Sequence, residues 1–138
     1  AIFLNMVRGL ERLSDATAIA LDSDQPEAMI IPDTYHMFLA GTGPNALGRL
    51  RGDFIAIFQF ADAGKEVEPI LHKGVDSQRV LPGDGKIDLK GYLTSLKKTG
   101  FDGCVSLELY NPEYRKREPV AFLKEALRKT VKVVASVG

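Results

Sequence analysis

The chain has 138 residues, 45% of them hydrophobic and 26% charged, so it can build one domain around one core and falls outside the disordered and fibrous classes. Its formal net charge is zero, which gives no general attraction to nucleic acid or to an anionic membrane surface. No run of about 18 apolar residues exists to span a bilayer, and the opening Ala1-Ile2-Phe3-Leu4 lacks the basic flank and long apolar stretch of a signal peptide.

Along the chain, Met6, Leu10, Leu13, Thr17, Ala20 and Leu21 recur at spacings of three and four. That pattern predicts an amphipathic helix, ended by the polar run 22–26. Ala28 to Ile31 is a short apolar run read as a buried strand, closed by Pro32-Asp33. Residues 44–50 predict a short helix with Pro44 in its first turn. Phe54 to Phe60 is nearly continuous in apolar character, which suits a parallel strand covered on both faces.

A long loop, 62–86, comes next and contains the turn signal Pro82-Gly83-Asp84-Gly85. Asp88 then caps a helix with the apolar face Leu89, Tyr92, Leu93 and Leu96, and Gly100 ends it. A third strand is predicted over 104–109. The single cysteine, Cys104, lies in its apolar run and reads as a buried structural thiol. It excludes an internal disulfide and fits a reducing, cytoplasmic compartment. The last helix runs from about 118 to 134 with the stripe Val120, Leu123, Leu127, Val131 and Val134.

The order is α-β-α-β-α-β-α, without a second domain. Alternation of this kind means an α/β fold, with a parallel sheet of three strands, near 28–32, 54–60 and 104–109, and four helices on one side. Three strands leave two open sheet edges, so the chain is expected to pair with another copy or with further strands. The charge is uneven, acidic before residue 70 and basic after it. The basic clusters Lys97-Lys98, Arg115-Lys116-Arg117 and Arg128-Lys129 read as solvated helix faces.

In parallel α/β folds the chemistry sits at the C-terminal ends of the strands. The first strand ends in Asp33, with His36 three residues on. The second carries Gln59 and then Asp62, and the third carries Glu108. Asp33, Gln59 and Glu108 offer oxygen donors from three strands, as a hard divalent cation prefers. A polar side chain inside an apolar strand is costly unless paired or coordinated. Two readings therefore stand: metal ligation, or a structural arrangement in which Glu108 pairs with a buried arginine and Gln59 bonds to backbone. His72 reads as a solvated or substrate-side histidine. Gly41-Thr42-Gly43 with Gly48 matches no nucleotide-binding spacing, and Tyr110 to Tyr114 reads as either pocket mouth or loop packing.

Four segments occur in order: Pro32-Asp33-Thr34-Tyr35-His36, Phe58-Gln59-Phe60-Ala61-Asp62, Arg79-Val80-Leu81-Pro82-Gly83-Asp84-Gly85, and Gly100-Phe101-Asp102-Gly103 with Ser106-Leu107-Glu108-Leu109 after it. Together they resemble the last three β/α units of the xylose isomerase-like TIM barrels, the sugar phosphate isomerase/epimerase family. The resemblance implies that residues 1–138 are the C-terminal half of a (β/α)8 TIM barrel, an incomplete barrel. It implies one divalent ion (Mn, Mg, Zn or Co) held by Asp33, Gln59 and Glu108. It also implies His36 as a catalytic and substrate-contacting residue, Glu108 as a proton-moving carboxylate, and Arg79 and Asp62 as substrate contacts. A further Glu ligand belongs on a strand before the opening helix, and nothing in Ala1 to Asn5 fills it.

The activity implied is a metal-dependent isomerase or epimerase acting on a sugar-like small molecule through an enediolate. Gln stands at 59 where the family more often has His, which favours a dehydratase of the 3-dehydroshikimate type as the alternative. A third reading is a fragment without catalysis of its own. A DNA-repair endonuclease of the related fold needs many histidines and a basic surface, and two histidines with no net charge argue against it.

Overall fold

The computed structural model describes residues 10–69 and 76–138. Met6, His72 and the Ala1 to Asn5 segment lie outside them. The first helix, α1 (Leu13–Asp22), buries Leu13 and Ala16. Its first turn is closed by Asp15, whose Oδ2 accepts from the backbone N–H of Arg12 at 2.7 Å and of Glu11 at 2.9 Å.

The expected first strand survives as two parallel bridges, Ile30 with Ile55 and Asp33 with Gln59. The backbone N–H of Ile30 donates to Phe54, and Ala56 donates to Ile30. Pro32 has no N–H to continue that ladder, and its carbonyl is reached by the N–H of Gln59 instead. Between the two bridges one strand advances three residues and the other four. This is a bulge, with one extra residue on the 55–59 side.

The bulge has a consequence for side-chain direction. Ile55 and Gln59 are four apart and would share a face of a regular strand. The extra residue lets Ile55 and Phe58 both enter the core, at 2% and 0% exposure, while Gln59 turns to the opposite face beside Asp33.

Next comes α2 (Thr34–Leu39), a helix that the sequence pattern does not announce. Asp33 is its N-cap and accepts from the N–H of His36 at 3.0 Å. Helix α3 (Pro44–Leu47) is shorter than the expected 44–50. Strand β1 (Ile57–Phe60) then runs through the core, with Phe58 and Phe60 fully buried.

The stretch expected as loop holds a short antiparallel pair, β2 (Asp62–Ala63) with β3 (Arg79–Val80). Asp62 organises the turn after β3. Its carboxylate accepts from the N–H groups of Gly83, Gly85, Ile87 and Ala63 at 2.9–3.0 Å. Gly83 takes φ +87°, and a Cβ on Gly85 would stand 2.1 Å from the Ala63 carbonyl, so both positions require glycine.

Helix α4 (Leu89–Lys98) is capped by Asp88 and packs against α3 and, next, against α5 (Pro119–Ala135). Between them β4 (Cys104–Leu107) pairs in parallel with β1, Gln59 opposite Ser106 and Phe60 opposite Leu107. The strand order is therefore 28–33, β1, β4, all parallel as expected. Five α-helices stand among the described residues rather than four, the addition being α2.

One expectation about burial fails, that for Cys104, and the apolar stripe of the last helix stands exposed. The α5 stripe of Val120, Leu123, Leu127, Val131 and Val134 is 37–65% exposed, because α5 meets its neighbours through Ala126 and Val133. Cys104 is exposed, because β4 is paired on one side only and α5 leaves it uncovered. The chain is a sector of a (β/α)8 barrel, an incomplete barrel whose far edge is open among the described residues.

Candidate functional site

The parallel array brings Asp33, Gln59 and Glu108 together at one end. Glu108 comes directly after β4, and its N–H still donates to Phe60 at 3.1 Å. It shares its face with Ser106, whose partner across the ladder is Gln59. Gln59 Nε2 donates to Glu108 Oε1 at 2.9 Å. The Gln59 amide nitrogen is thereby committed to Glu108, and its carbonyl oxygen takes no part in that bond.

Arg79, at the start of β3, reaches into the same cluster and is fully buried. Its Nη1 donates to Asp33 Oδ2 at 2.9 Å, its Nε to Asp76 Oδ1 at 3.0 Å, and its Nη2 lies 3.4 Å from Glu108 Oε2. The guanidinium also stacks over the Tyr35 ring at 4.6 Å. Nη2 stands 3.0 Å from His36 Nε2. The structural reading of Glu108 as partner of a buried arginine is thus present in the geometry. The companion reading of Gln59 is not, because Gln59 bonds to Glu108 rather than to backbone.

The electrostatics separate the two carboxylates. Burial pushes Asp33 up, but Arg79 and His36 beside it and the His36 N–H outweigh burial and hold it below the usual range. Glu108 is pushed up to about 7, first by desolvation and then by the Asp33 carboxyl within hydrogen-bonding reach. His36 is lowered, chiefly by burial, against an opposing pull from Asp33.

Two carboxylates crowded at one point, with an amide oxygen alongside, fit a hard divalent cation. Asp33, Asp76 and Glu108 are three carboxyl groups gathered around the one guanidinium of Arg79. Among the described residues no three His, Cys, Asp or Glu side chains gather as a metal cage by themselves.

Asp62 is not brought to this cluster. It is 1% exposed, and both its oxygens are filled by three backbone donors of the turn and that of Ala63, which leaves no acceptor for a substrate. The 110–114 segment is loop packing: Asn111 Nδ2 donates to the Arg79 carbonyl at 3.1 Å, and Leu81 N–H donates to the Tyr114 hydroxyl at 3.2 Å. Sequence reasoning missed Asp76 and Thr34. Asp76 stands three residues before Arg79, a spacing that could have signalled the pair. Thr34 Oγ1 clamps the 60–62 backbone, donating to the Ala61 carbonyl at 2.6 Å and accepting from its N–H at 3.0 Å. Larger hollows of about 560 and 680 Å3 lie against α1 and the 41–54 segment and include none of the cluster.

The profile of the family described as xylose isomerase-like TIM barrel matches residues 3–126. An inosose isomerase of Bacillus licheniformis is 32% identical over 122 residues, which are 88% of this chain and 43% of that protein. A 3-dehydroshikimate dehydratase of Pseudomonas putida is 34% identical over 97 residues, 67% of this chain and 14% of that protein. Among solved structures, the IolI protein with a bound zinc atom superposes at a TM-score of 0.85 with 29% identity, covering 94% of this chain and 45% of that one. L-ribulose 3-epimerase shares the fold at a TM-score of 0.69. The chain spans less than half the length of these relatives.

Proposed function

The chain belongs to the xylose isomerase-like TIM-barrel family, and on that premise we propose that it carries part of the active site of a metal-dependent isomerase or epimerase for a sugar or sugar derivative. The observation that carries the reading is the convergence of Asp33, Gln59 and Glu108, with Glu108 pushed up to about 7. Asp33, Gln59 and Glu108 would hold one divalent ion (Mn, Mg, Zn or Co). When bound, that ion supplies Lewis acidity to adjacent carbonyl and hydroxyl oxygens of a substrate.

Glu108 is the group suited to move the proton alpha to the carbonyl through an enediolate. A carboxylate held in place beside the substrate can accept a proton and return it. Half-exposed Gln59 orients Glu108 through its amide. Asp33 is fixed by the α2 cap and by Arg79, so the cluster keeps its shape without substrate. Similarity to an inosose isomerase supports a polyhydroxylated ketone as substrate.

Gln59 gives the second reading its support. A neutral amide cannot act as a base, and similarity to a 3-dehydroshikimate dehydratase points to a lyase in which loss of a β-hydroxyl comes after the same proton removal. The test is solvent deuterium exchange at the alpha carbon of an inosose, in zinc or manganese, with the product examined by NMR and ultraviolet absorbance. Exchange without a new chromophore supports the isomerase, and a conjugated chromophore supports the lyase. Measured on the complete protein, absence of exchange together with absence of metal binding in calorimetry would sink both and leave a non-catalytic module.

The same premise bears on assembly. The open β4 edge and the α5 stripe are the surfaces that further strands of a barrel, or a second copy, would cover. A monodisperse monomer in light scattering with a cooperative melt would count against that.

A further inference from the structure

We propose that Thr34 is a positioning residue whose buried hydroxyl locks the register of the first strand against β1, and so holds Asp33 beside Gln59. The two strands meet there in one isolated rung, Asp33 with Gln59, after the extra residue on the 55–59 side. Pro32 has no N–H to add to the pairing, and beyond Asp33 the backbone has turned into α2. A bulge next to a single rung leaves register weakly specified. A slip of one residue would set Asp33 opposite Phe58 or Phe60, whose side chains are in the core, and would carry it away from Gln59.

The direction of the backbone shows what stops the slip. The N–H of Gln59 points to the first strand, where it donates to the Pro32 carbonyl at 2.8 Å. Phe60 faces the other side, where its carbonyl accepts from the Glu108 N–H at 3.1 Å. Alternation then aims the N–H and carbonyl of Ala61 at the first strand again. In an unbroken ladder their partners would be backbone groups, but α2 has taken that backbone away.

The Thr34 hydroxyl stands in their place. It donates to the Ala61 carbonyl at 2.6 Å and accepts from the Ala61 N–H at 3.0 Å. Thr34 and Ala61 are both 0% exposed, so solvent does not compete for these bonds. One atom that donates and accepts at once is the chemistry of a hydroxyl, and neither valine nor alanine supplies it. Thr34 comes directly after Asp33, and Ala61 two residues after Gln59. The grip of Thr34 on Ala61 therefore sets one proposed ligand strand against the other.

The consequence for metal binding rests on the function proposed above, but the register lock does not. Amide hydrogen exchange of the complete protein, followed by NMR without metal, reads the lock. In Thr34→Val the Gln59 N–H, on the first-strand side of β1, should exchange about tenfold faster or more. The Glu108 N–H, on the β4 side, should keep the parent rate. Thr34→Ser, which retains the hydroxyl, should match the parent at both. Thr34→Ala leaves room for a water beside Ala61 and is the second variant should Thr34→Val not fold, with the same expectation. Leu47→Ala opens a cavity in the core at α3 and should speed both amides together or neither. In calorimetry with manganese, the valine or alanine variant should bind about tenfold more weakly or worse, and Thr34→Ser as the parent does. A Gln59 N–H that keeps its protection in a folded valine or alanine variant overturns the proposal. Equal acceleration of both amides there also overturns it, by making Thr34 a general packing residue, as does lost protection of Gln59 in Thr34→Ser. A parent protein that binds no manganese would count against the proposed function, and the exchange rates would still decide the lock.

Discussion

Two acidic regions of this small fold behave in opposite ways. Asp62 accepts four backbone hydrogen bonds from the 83–87 turn and its neighbour. All its lone pairs have matched donors, so it is a finished structural joint. The Asp33, Asp76, Glu108 cluster has a single guanidinium among three carboxylates, and one member, Glu108, is pushed up to about 7. A carboxylate whose donors are complete stabilises the fold, whereas one desolvated beside a second carboxyl holds a proton it can exchange. The difference lies in what surrounds each group, since the functional group is the same in both.

The largest expected effect breaks the finished joint. Asp62→Ala leaves three backbone donors of the turn and that of Ala63 without their acceptor. With unsatisfied buried groups costing about 1–3 kcal/mol each and water replacing some of the loss, the variant should lose on the order of 4 kcal/mol in urea unfolding. A loss under about 1 kcal/mol would show that the turn holds without Asp62.

Glu108→Gln probes the other region and should behave in the reverse manner. The folded-state value of about 7 stands above the ordinary 4.5, so the folded chain keeps a proton that the unfolded chain releases. Stability contributed by this group is present in full below about 4.5, declines as pH rises through about 7, and then levels off. The variant removes that decline. At pH 8 it should be at least as stable as the parent, with a gain of no more than about 1 kcal/mol once solvent screening is counted, while affinity for zinc falls by more than about tenfold. A variant that is destabilised at pH 8 and binds zinc unchanged would make Glu108 a structural partner of Arg79.

This contrast also marks what the sequence could carry. The alternation of apolar runs and helix patterns placed β1, β4, α4 and α5 within a few residues, because each has a strong period or an unbroken apolar core. Asp33, Gln59 and Glu108 were legible as polar residues at strand ends. The role of Asp62 was not, because its four donors come from backbone N–H groups 21–25 residues away and beside it, and backbone donors leave no sequence signal. Helix α2 was missed because its six residues, Thr34–Leu39, are too few to show a period, and only Asp33 as N-cap announces it. The bulge at 55–59 was likewise hidden, although Pro32 was the clue. The α5 stripe was legible as apolar, and among the described residues it faces outward.

The smallest expected effect on stability, and the sharpest on the site, comes from Gln59→His. Gln59 is half-buried, and its side-chain amide bonds to Glu108. Replacing it should change stability by no more than about 1 kcal/mol, since an imidazole N–H can still donate to Glu108 and the neighbouring core residues Phe58 and Phe60 are untouched. Metal preference should change more. An amide oxygen is a hard donor suited to manganese or magnesium, whereas imidazole nitrogen favours zinc. The ratio of manganese to zinc dissociation constants should therefore rise by about tenfold, and competition between the two metals in calorimetry reads that ratio even where both bind weakly. A rise requires that the side chain at 59 touch the metal. An unchanged ratio with unchanged stability would mean that Gln59 only steers Glu108. A large loss of stability would mean that the Gln59 to Glu108 bond is a structural joint like Asp62, and the contrast between the two acidic regions would then fail at this residue.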